Sequence, residues 1–266
     1  MTFRRLPILI LLALLLVSVA PLAAQDISEC EDSFRLFEHF AGETCIPENP
    51  QRIASLSDNF LTTPLLDVEA PVVASIFRTW EGGEPFLSGG ADGFEGAENL
   101  VNLGNPVDLE IILEVNPDLI IGGFWNAEIY DELSAIAPTV LFNAPVPMFE
   151  HMERLADASN RLGVYNEKLA DYEVRIEEMR ALINDPASIT ISRMDINADG
   201  LWYSSGLGAL DQVIDDIGFS RPEFQANTEG DVRGLSIEEM PLFDGDIILS
   251  SYAPRFGQTI ENLQTG

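Results

Sequence analysis

Two carboxylates occupy equivalent positions in a segment that the chain uses twice. Glu110 and Glu238 each lie two residues after an Asp or Ser, and they are 128 positions apart. Asp and Ser are residue types that cap helix N-termini, and a short apolar turn follows each acid. Asp118 and Asp246, separated by the same interval, then lead into apolar runs typical of strands. The repeat predicts two similar α/β halves that each present one carboxylate. Chance recurrence of common caps and apolar runs is the alternative.

The sequence contains no arrangement of residues typical of a catalytic site. It has no Gly-x-Ser-x-Gly elbow, no P-loop and no His-Glu-x-x-His motif. His39 and His151 are the only histidines, and neither belongs to a cluster of ligand types, which argues against a His-rich zinc or manganese site. We therefore expect no enzyme activity, no resident cofactor and no protein-bound metal. An extracellular acidic hydrolase on an α/β scaffold stays open as an alternative.

The first 24 residues have the pattern of a secretory signal peptide. Arg4 and Arg5 precede an apolar run that ends near Ala20, and small residues suited to cleavage follow. The run is short for a membrane anchor. No cysteine suited to lipid attachment follows it, since Cys30 lies behind two acids. We expect an exported protein, either periplasmic or at the cell surface.

The remaining composition excludes some partners. The formal net charge is −30, and Lys168 is the only lysine. Phosphate groups repel such a surface, so nucleic acid and anionic membranes are not expected partners. Cys30 and Cys45 are the only cysteines, and in an exported chain we expect them to form a disulfide. A reactive or metal-binding pair is the alternative.

Alternating strand and helix patterns predict an α/β fold with mostly parallel sheets. Apolar residues at helical spacing predict a long helix over about residues 165–183, interrupted before that near Gly163 and serving as an internal spine. A Gly-rich and acidic stretch from Trp80 to Gly96 is predicted to be an irregular surface loop. The expected segments are a signal peptide (1–24), an N-terminal segment with the disulfide (25–50), a first lobe (51–147), a connecting helical segment (148–185) and a second lobe (186–266). The second half is shorter than the first by about a helix and a strand, so we expect it to be an incomplete lobe.

Three motifs follow one another along the chain. The segment Cys45–Ile53 contains I-P-x-x-P-x-R-I, the stretch from Asp108 to Ile121 contains D-L-E and P-D-L-I-I, and Ile136–Val140 reads I-A-P-T-V. In this order they resemble the opening, the N-L-E and P-D-L-I-I signature and the strand entry of the substrate-binding proteins that serve iron–siderophore and vitamin B12 ABC importers. The resemblance covers nearly all of the chain after the signal peptide.

This resemblance implies two Rossmann-like lobes joined by one long rigid helix, with the ligand in the cleft between them. It also implies that one glutamate on each lobe docks onto arginines of the importer's permease. The matching positions are Glu110 and Glu238, and we expect Glu239 to form a capping box with Ser236, which leaves Glu238 available. A plain N-terminal helix acid is the alternative for each. Pro241 is expected to limit the helix that carries Glu238 to about one turn.

The resemblance also implies a bulky ligand, a ferric siderophore, held by aromatic walls and guanidinium groups. Arg193 follows a predicted strand at the place where siderophore-binding relatives carry a ligand-contacting Arg, and Arg78 follows a strand in the other half. Parallel sheets bind ligands at these strand ends. The aromatic candidates are Trp80, Trp125, Trp202, Tyr203 and Tyr252. Surface ion pairs for the arginines and core packing for the aromatics are the alternatives.

We therefore expect a monomeric exported protein that captures a ferric siderophore and delivers it to the permease of an ABC importer. Cobalamin and haem are alternative ligands within the same family. A binding module for signalling or attachment, without transport, is a further alternative.

Overall fold

Five parallel strands form the sheet of the first lobe, in the order β5-β4-β3-β6-β7. The structure is a computed structural model that describes residues 30–79, 83–144, 146–197, 200–204, 208–228 and 230–250. The strands are β3 (Ile53–Ser55), β4 (Val72–Ser75), β5 (Val101–Asn102), β6 (Leu119–Gly123) and β7 (Thr139–Phe142). All four pairings between neighbouring strands are parallel, as the alternation of strands and helices predicts.

Helices cover both faces of this sheet. They are α1 (Thr63–Asp67), which continues a π-helical turn over Asp58–Thr62, α2 (Leu109–Val115), α3 (Tyr130–Ser134) and α4 (Met148–Ala158). Successive strand residues point to opposite faces, so Ile53 and Ile121 pack with α1 and α4, whereas Ala54 and Ile120 pack with α2 and α3. This burial on both sides explains why the strands read as continuous apolar runs.

An antiparallel hairpin, β1 (Phe34–His39) and β2 (Gly42–Pro47), precedes the first lobe and packs beside β7. The backbone N–H of Phe40 donates to the carbonyl of Leu141 at 2.9 Å. The disulfide between Cys30 and Cys45 links this hairpin to the residues just before it, and the prediction of that bond is confirmed. The strands of the hairpin were not predicted from the sequence.

Helix α5 (Leu162–Leu182) connects the lobes and packs against α4 on one side and α6 (Ala209–Ile217) on the other. The predicted long helix is confirmed, but two details of the prediction are wrong. The break lies at Asn160, whose positive φ of 56° separates α4 from α5, and Gly163 lies inside the helix. The helix is not an internal spine, because only Tyr165 and Ile176 are buried along its 21 residues.

The second lobe contains a parallel pair and a small antiparallel sheet. Strands β8 (Ile191–Arg193) and β12 (Ile247–Leu249) are parallel, and β9 (Asp195–Asn197), β10 (Gly200–Ser204) and β11 (Asp231–Leu235) form the antiparallel sheet. This lobe also contains α7 (Glu223–Ala226) and a 3₁₀ helix over Ile237–Phe243. The 3₁₀ helix has seven residues and contains Pro241, so it is longer than the single turn expected.

The sequence repeat corresponds to a structural repeat. Asp118 precedes β6, and its two carboxylate oxygens accept from the backbone N–H groups of Gln51 (2.7 Å) and Arg52 (2.9 Å), just before β3. Asp246 precedes β12 and accepts from the backbone N–H of Thr190 (2.8 Å), just before β8. In each lobe an aspartate at the equivalent position of the repeat therefore holds together the starts of two neighbouring parallel strands.

The stretch predicted to be an irregular surface loop is only partly so. Arg78 and Phe86 form an isolated antiparallel bridge, and Leu87 and Ala91 are buried in a small cluster of their own with Ala97 and Leu100. Trp80 lies outside the described residues. Across the described part of the chain, no helix has both the length and the apolar character needed to cross a bilayer.

Candidate functional site

A cavity of 770 Å³ lies between the two lobes, and most of its lining is apolar. Helices α1, α4 and α5 form most of its wall, and the second lobe closes it with the start of α6. The described lining residues are Asn59, Phe60, Thr63, Pro64, Asp67, Val68, Gly89, Phe94, Ala144, Val146, Met148, Phe149, His151, Met152, Tyr165, Lys168, Leu169, Tyr172, Gly208, Ala209 and Val213. This volume is in the range that binds drug-sized molecules.

An aromatic group built around Phe60 forms one side of the cavity. The Phe60 ring stacks on His151 with centroids 4.2 Å apart and meets the edge of Trp125 at 5.3 Å. The Nε2 atom of His151 donates to the carbonyl of Phe60 at 2.7 Å, which fixes the tautomer. Burial lowers the pKa of His151, so the ring stays neutral near pH 7. Trp125 is 45% exposed and does not itself line the cavity, but it lies one ring contact away.

Arg78 lies at the cavity edge formed by the first lobe. It donates to the lining residue Asn59 (Nη2 to Oδ1, 3.4 Å) and makes a bidentate ion pair with Asp58 at 2.7 and 3.1 Å. Asp58 is buried at 2% exposure, whereas the side chain of Arg78 is 47% exposed. Burial alone would raise the pKa of Asp58, but hydrogen bonds from Arg78, Ser88 and the backbone N–H of Asn59 hold it below the usual value.

Arg193 lies at the corresponding edge of the second lobe. Its guanidinium pairs with Asp211, which is 1% exposed and also accepts from Arg221 at 2.8 Å. A Cβ added to the lining residue Gly208 would lie 3.5 Å from Nη1 of Arg193, so this arginine borders the cavity. Burial would lower the pKa of Arg221, but its hydrogen bonds to Asp215 and Asp211 raise it.

A buried glutamine holds the backbone of Arg193 in place. Gln225 on α7 is 2% exposed, its Oε1 accepts from the backbone N–H of Arg193 at 3.2 Å, and its Nε2 donates to the carbonyl of the same residue. A side chain that satisfies both backbone groups fixes the end of β8 and therefore the direction in which Arg193 leaves the strand.

Both repeated glutamates are exposed and lie in the first turn of a helix. Asp108 caps the helix of Glu110 by accepting from its backbone N–H at 2.9 Å, and Ser236 accepts from the N–H of Glu238 at 3.2 Å. The carboxylate of Glu239 accepts from the backbone N–H of Ser236 at 2.8 Å, so the predicted capping box is confirmed. The Glu238 side chain has no part in that box.

The remaining predicted aromatic residues differ in their surroundings. Tyr203 is 2% exposed and packs in the core of the second lobe with Leu201 and Phe243, so the core-packing alternative holds for it. Trp202 points the other way on β10, and the Arg233 guanidinium lies 5.9 Å from its ring centroid. Trp80 and Tyr252 lie outside the described residues.

Sequence reasoning missed the acids that hold the two arginines and the aromatic residues of the connecting helices. Asp58 and Asp211 are each an acid shortly after a strand and at a helix start, and an acidic chain has many such positions. Tyr172 fits the helical spacing that predicts the long helix, and Phe149 was not singled out from the sequence. No group of three or more His, Cys, Asp or Glu side chains in the described ranges is placed to hold a metal ion.

Comparison with known proteins places this geometry in a family. Residues 58–260 match the family model described as periplasmic binding protein. The chain is 32% identical over 184 residues to the probable siderophore-binding lipoprotein YfiY of Bacillus subtilis (68% of this chain, 55% of that protein). It is 24% identical over 254 residues to the iron(3+)-hydroxamate-binding protein YxeB of the same species (91% of this chain, 75% of that protein).

A solved structure gives the same answer for the fold. Staphylococcus aureus SirA complexed with staphyloferrin B superposes with a TM-score of 0.66 at 22% identity, over 82% of this chain and 77% of that one. The matched family model covers both lobes and the helix between them, and the chain therefore belongs to the periplasmic binding protein family, with the two-lobed α/β fold that the sequence predicts.

Proposed function

We propose that the protein captures a ferric siderophore in the cleft between its lobes and delivers it to an ABC importer. The observation that carries the proposal is the aromatic, mostly apolar cavity between the lobes, with one arginine from each lobe at its edge. Bulky chelates need apolar contact over most of their surface and a few fixed donors for their oxygens. The named relatives support the proposal, since YfiY and YxeB are described as siderophore- and iron(3+)-hydroxamate-binding proteins.

In this proposal Arg78 and Arg193 donate to oxygens of the chelate, and Phe60 and Trp125 contact its organic groups. Trp202 can contribute on the second lobe, and Trp80 and Tyr252 remain predicted contacts. The chelate supplies the iron ligands, so the protein acts by shape, aromatic contact and hydrogen bonding.

Titration of intrinsic tryptophan fluorescence tests the proposal. A ferric trihydroxamate, a ferric tris-catecholate and ferric citrate are each added to the full chain, and at least one is expected to quench with a Kd of about 1 μM or tighter. Trp125 is one reporter, since it contacts the cavity through Phe60. A Trp125→Phe variant should lose the part of the signal that Trp125 supplies and should still bind in calorimetry. Absence of binding by all three chelates in calorimetry would contradict the proposal.

The proposal extends to the permease. Glu110 and Glu238 are exposed, lie on different lobes and follow equivalent caps, so they suit two-point docking onto a membrane partner with two similar halves. The proposal includes export to the periplasm or cell surface, which the N-terminal signal pattern and the family support.

A further inference from the structure

Three cationic side chains lie in or beside the cavity wall within the described part of the chain, and each is paired with a carboxylate. Lys168 lines the cavity and pairs with Asp67, another lining residue, at 3.3 Å. Arg78 and Arg193 border the cavity and pair with Asp58 and Asp211. His151 also lines the cavity, but its ring is neutral, because burial lowers its pKa and its Nε2 donates to the carbonyl of Phe60.

On the first lobe, a ligand cannot replace Asp58 as the partner of Arg78 without a large cost in free energy. Asp58 is 2% exposed and receives two hydrogen bonds from Arg78 and two from Ser88. An anionic ligand that took the guanidinium away would leave a buried carboxylate without its counter-charge, which is strongly unfavourable. Arg78 therefore offers hydrogen-bond donors to the cavity without offering a net positive charge.

On the second lobe the arginine beside the cavity is also neutralised, here within a cluster of four charged side chains. Asp211 is 1% exposed and accepts from both Arg193 and Arg221, and Arg221 also binds Asp215 at 2.9 Å. Two arginines thus face two aspartates. The charge of this edge sums to zero, and the chain as a whole carries −30.

We propose that the cleft selects ferric chelates without net charge, of the trihydroxamate class, over trianionic ferric tris-catecholates. Each hydroxamate loses one proton on binding iron, so three of them balance the ferric ion. Each catecholate loses two protons, so three of them leave a trianion. The neutral chelate accepts hydrogen bonds from the paired arginines, whereas the trianion meets no unbalanced cation among the described residues of the cavity wall and is repelled by the acidic surface. This inference depends on the proposed function.

Calorimetric titration of the full chain with one hexadentate chelate of each class tests the selection. The trihydroxamate is expected to bind at least about a hundredfold more tightly than the tris-catecholate, since the negative charge of the protein opposes the trianion. Raising the salt concentration should weaken the preference, because it screens only the charged ligand.

Charge-neutralising variants assign the effect to the buried acids. Asp58→Asn and Asp211→Asn each leave one arginine uncompensated, so each should tighten tris-catecholate binding by roughly tenfold relative to trihydroxamate binding. Asp157→Asn is the matched control, because Asp157 pairs with Arg35 away from the cavity lining and its loss changes the total charge equally. This control should alter neither affinity.

The outcomes separate the inference from the function it depends on. If no ferric chelate binds, the proposed function fails. If the tris-catecholate binds the unmodified protein as tightly as the trihydroxamate or more tightly, only the selection is overturned. A control variant that tightens tris-catecholate binding as much as Asp58→Asn would assign the effect to total charge and overturn the role of the buried acids. Thermal unfolding shows which variants fold, and the comparison on the unmodified protein decides the selection without them.

Discussion

Among single residues, His39 in the N-terminal hairpin has the most strongly perturbed titration of the two histidines. Its Nδ1 accepts from the backbone N–H groups of Leu141 (3.1 Å) and Ala41 (3.3 Å), and its Nε2 lies 2.9 Å from the Thr44 hydroxyl. Burial, and then the charge of Arg154, lower its pKa to about 4 from 6.5. The ring is an acceptor between the hairpin and β7, and protonation would remove that role.

We predict that the folded state loses stability as the pH falls from about 6.5 towards 4, because the unfolded chain takes up a proton on His39 that the folded chain does not. The stabilisation that the neutral His39 ring provides is fully present above the pKa that this histidine has in the unfolded chain, and about 2 kcal/mol of it is lost at about pH 5. Urea unfolding at about pH 7.5 and about pH 5 measures the loss. His39→Gln should show a smaller loss between the two conditions, and an equal loss would contradict the assignment.

The positions of the two arginines could be predicted from the sequence, but their acidic partners could not. Arg78 and Arg193 were predicted as ligand contacts because each follows a predicted strand, and the structure places both beside one cavity. Their partners Asp58 and Asp211 were not predicted, since any of the many acids could have served. The choice among them depends on which helix start faces which strand end, and that is a tertiary property.

At the scale of elements, the repeated aspartates join a strand to its neighbour. Asp118 is partly buried and accepts two backbone hydrogen bonds, whereas Asp246 is exposed and accepts one. Hydrogen bonds to a carboxylate are stronger than neutral ones, and solvent weakens those at the surface. The two copies of the motif should therefore differ in strength.

We predict that Asp118→Ala lowers the free energy of unfolding by about 1–2 kcal/mol and that Asp246→Ala lowers it by less than about 1 kcal/mol. Chemical denaturation followed by circular dichroism measures both. Asp92→Ala serves as control, since Asp92 is an exposed acid in a short surface turn. Equal losses at the two positions would show that the number of accepted bonds does not set the cost.

Most elements with strong local signals were predictable. Helix α2 begins directly after the cap Asp108, β7 begins within the I-A-P-T-V motif and β12 directly follows Asp246, as those sequence features predict. Gly218 ends α6 with a φ of 92°, which is common for a C-cap glycine. The antiparallel sheet of β9, β10 and β11 was missed, because β9 has only three residues and β11 pairs with β10 from a separate part of the sequence. The inward position of α5 was misjudged because apolar residues at helical spacing do not show how much of the helix is covered.

At the scale of the whole molecule, the proposed docking role of the two glutamates can be separated from ligand capture. Neither Glu110 nor Glu238 lines the cavity, and both are exposed. Replacing either should leave chelate affinity unchanged, because neither side chain contributes to the cavity wall. Loss of a charged contact with the importer should act on delivery alone.

We predict that Glu110→Ala and Glu238→Ala each reduce importer-dependent iron uptake by roughly tenfold or more, while chelate affinity stays within about twofold. Uptake of labelled ferric chelate in cells expressing the cognate importer measures the first quantity, and calorimetry measures the second. Glu114→Ala, at the other end of α2, is the control and should transport normally. Normal uptake by the double variant would rule out these residues as docking contacts.

Helix α5 has a mechanical consequence for this arrangement. It is one uninterrupted helix of 21 residues, about 31 Å long at 1.5 Å per residue, and it has no proline at which to bend. If Glu110 and Glu238 dock onto the permease as proposed, a rigid α5 keeps the distance between their carboxylates nearly constant between the empty and the filled cleft. A constant distance would not distinguish a filled receptor from an empty one. The importer would then recognise the cargo only at the rim of the cleft, and empty receptor would compete with filled receptor for the same docking site.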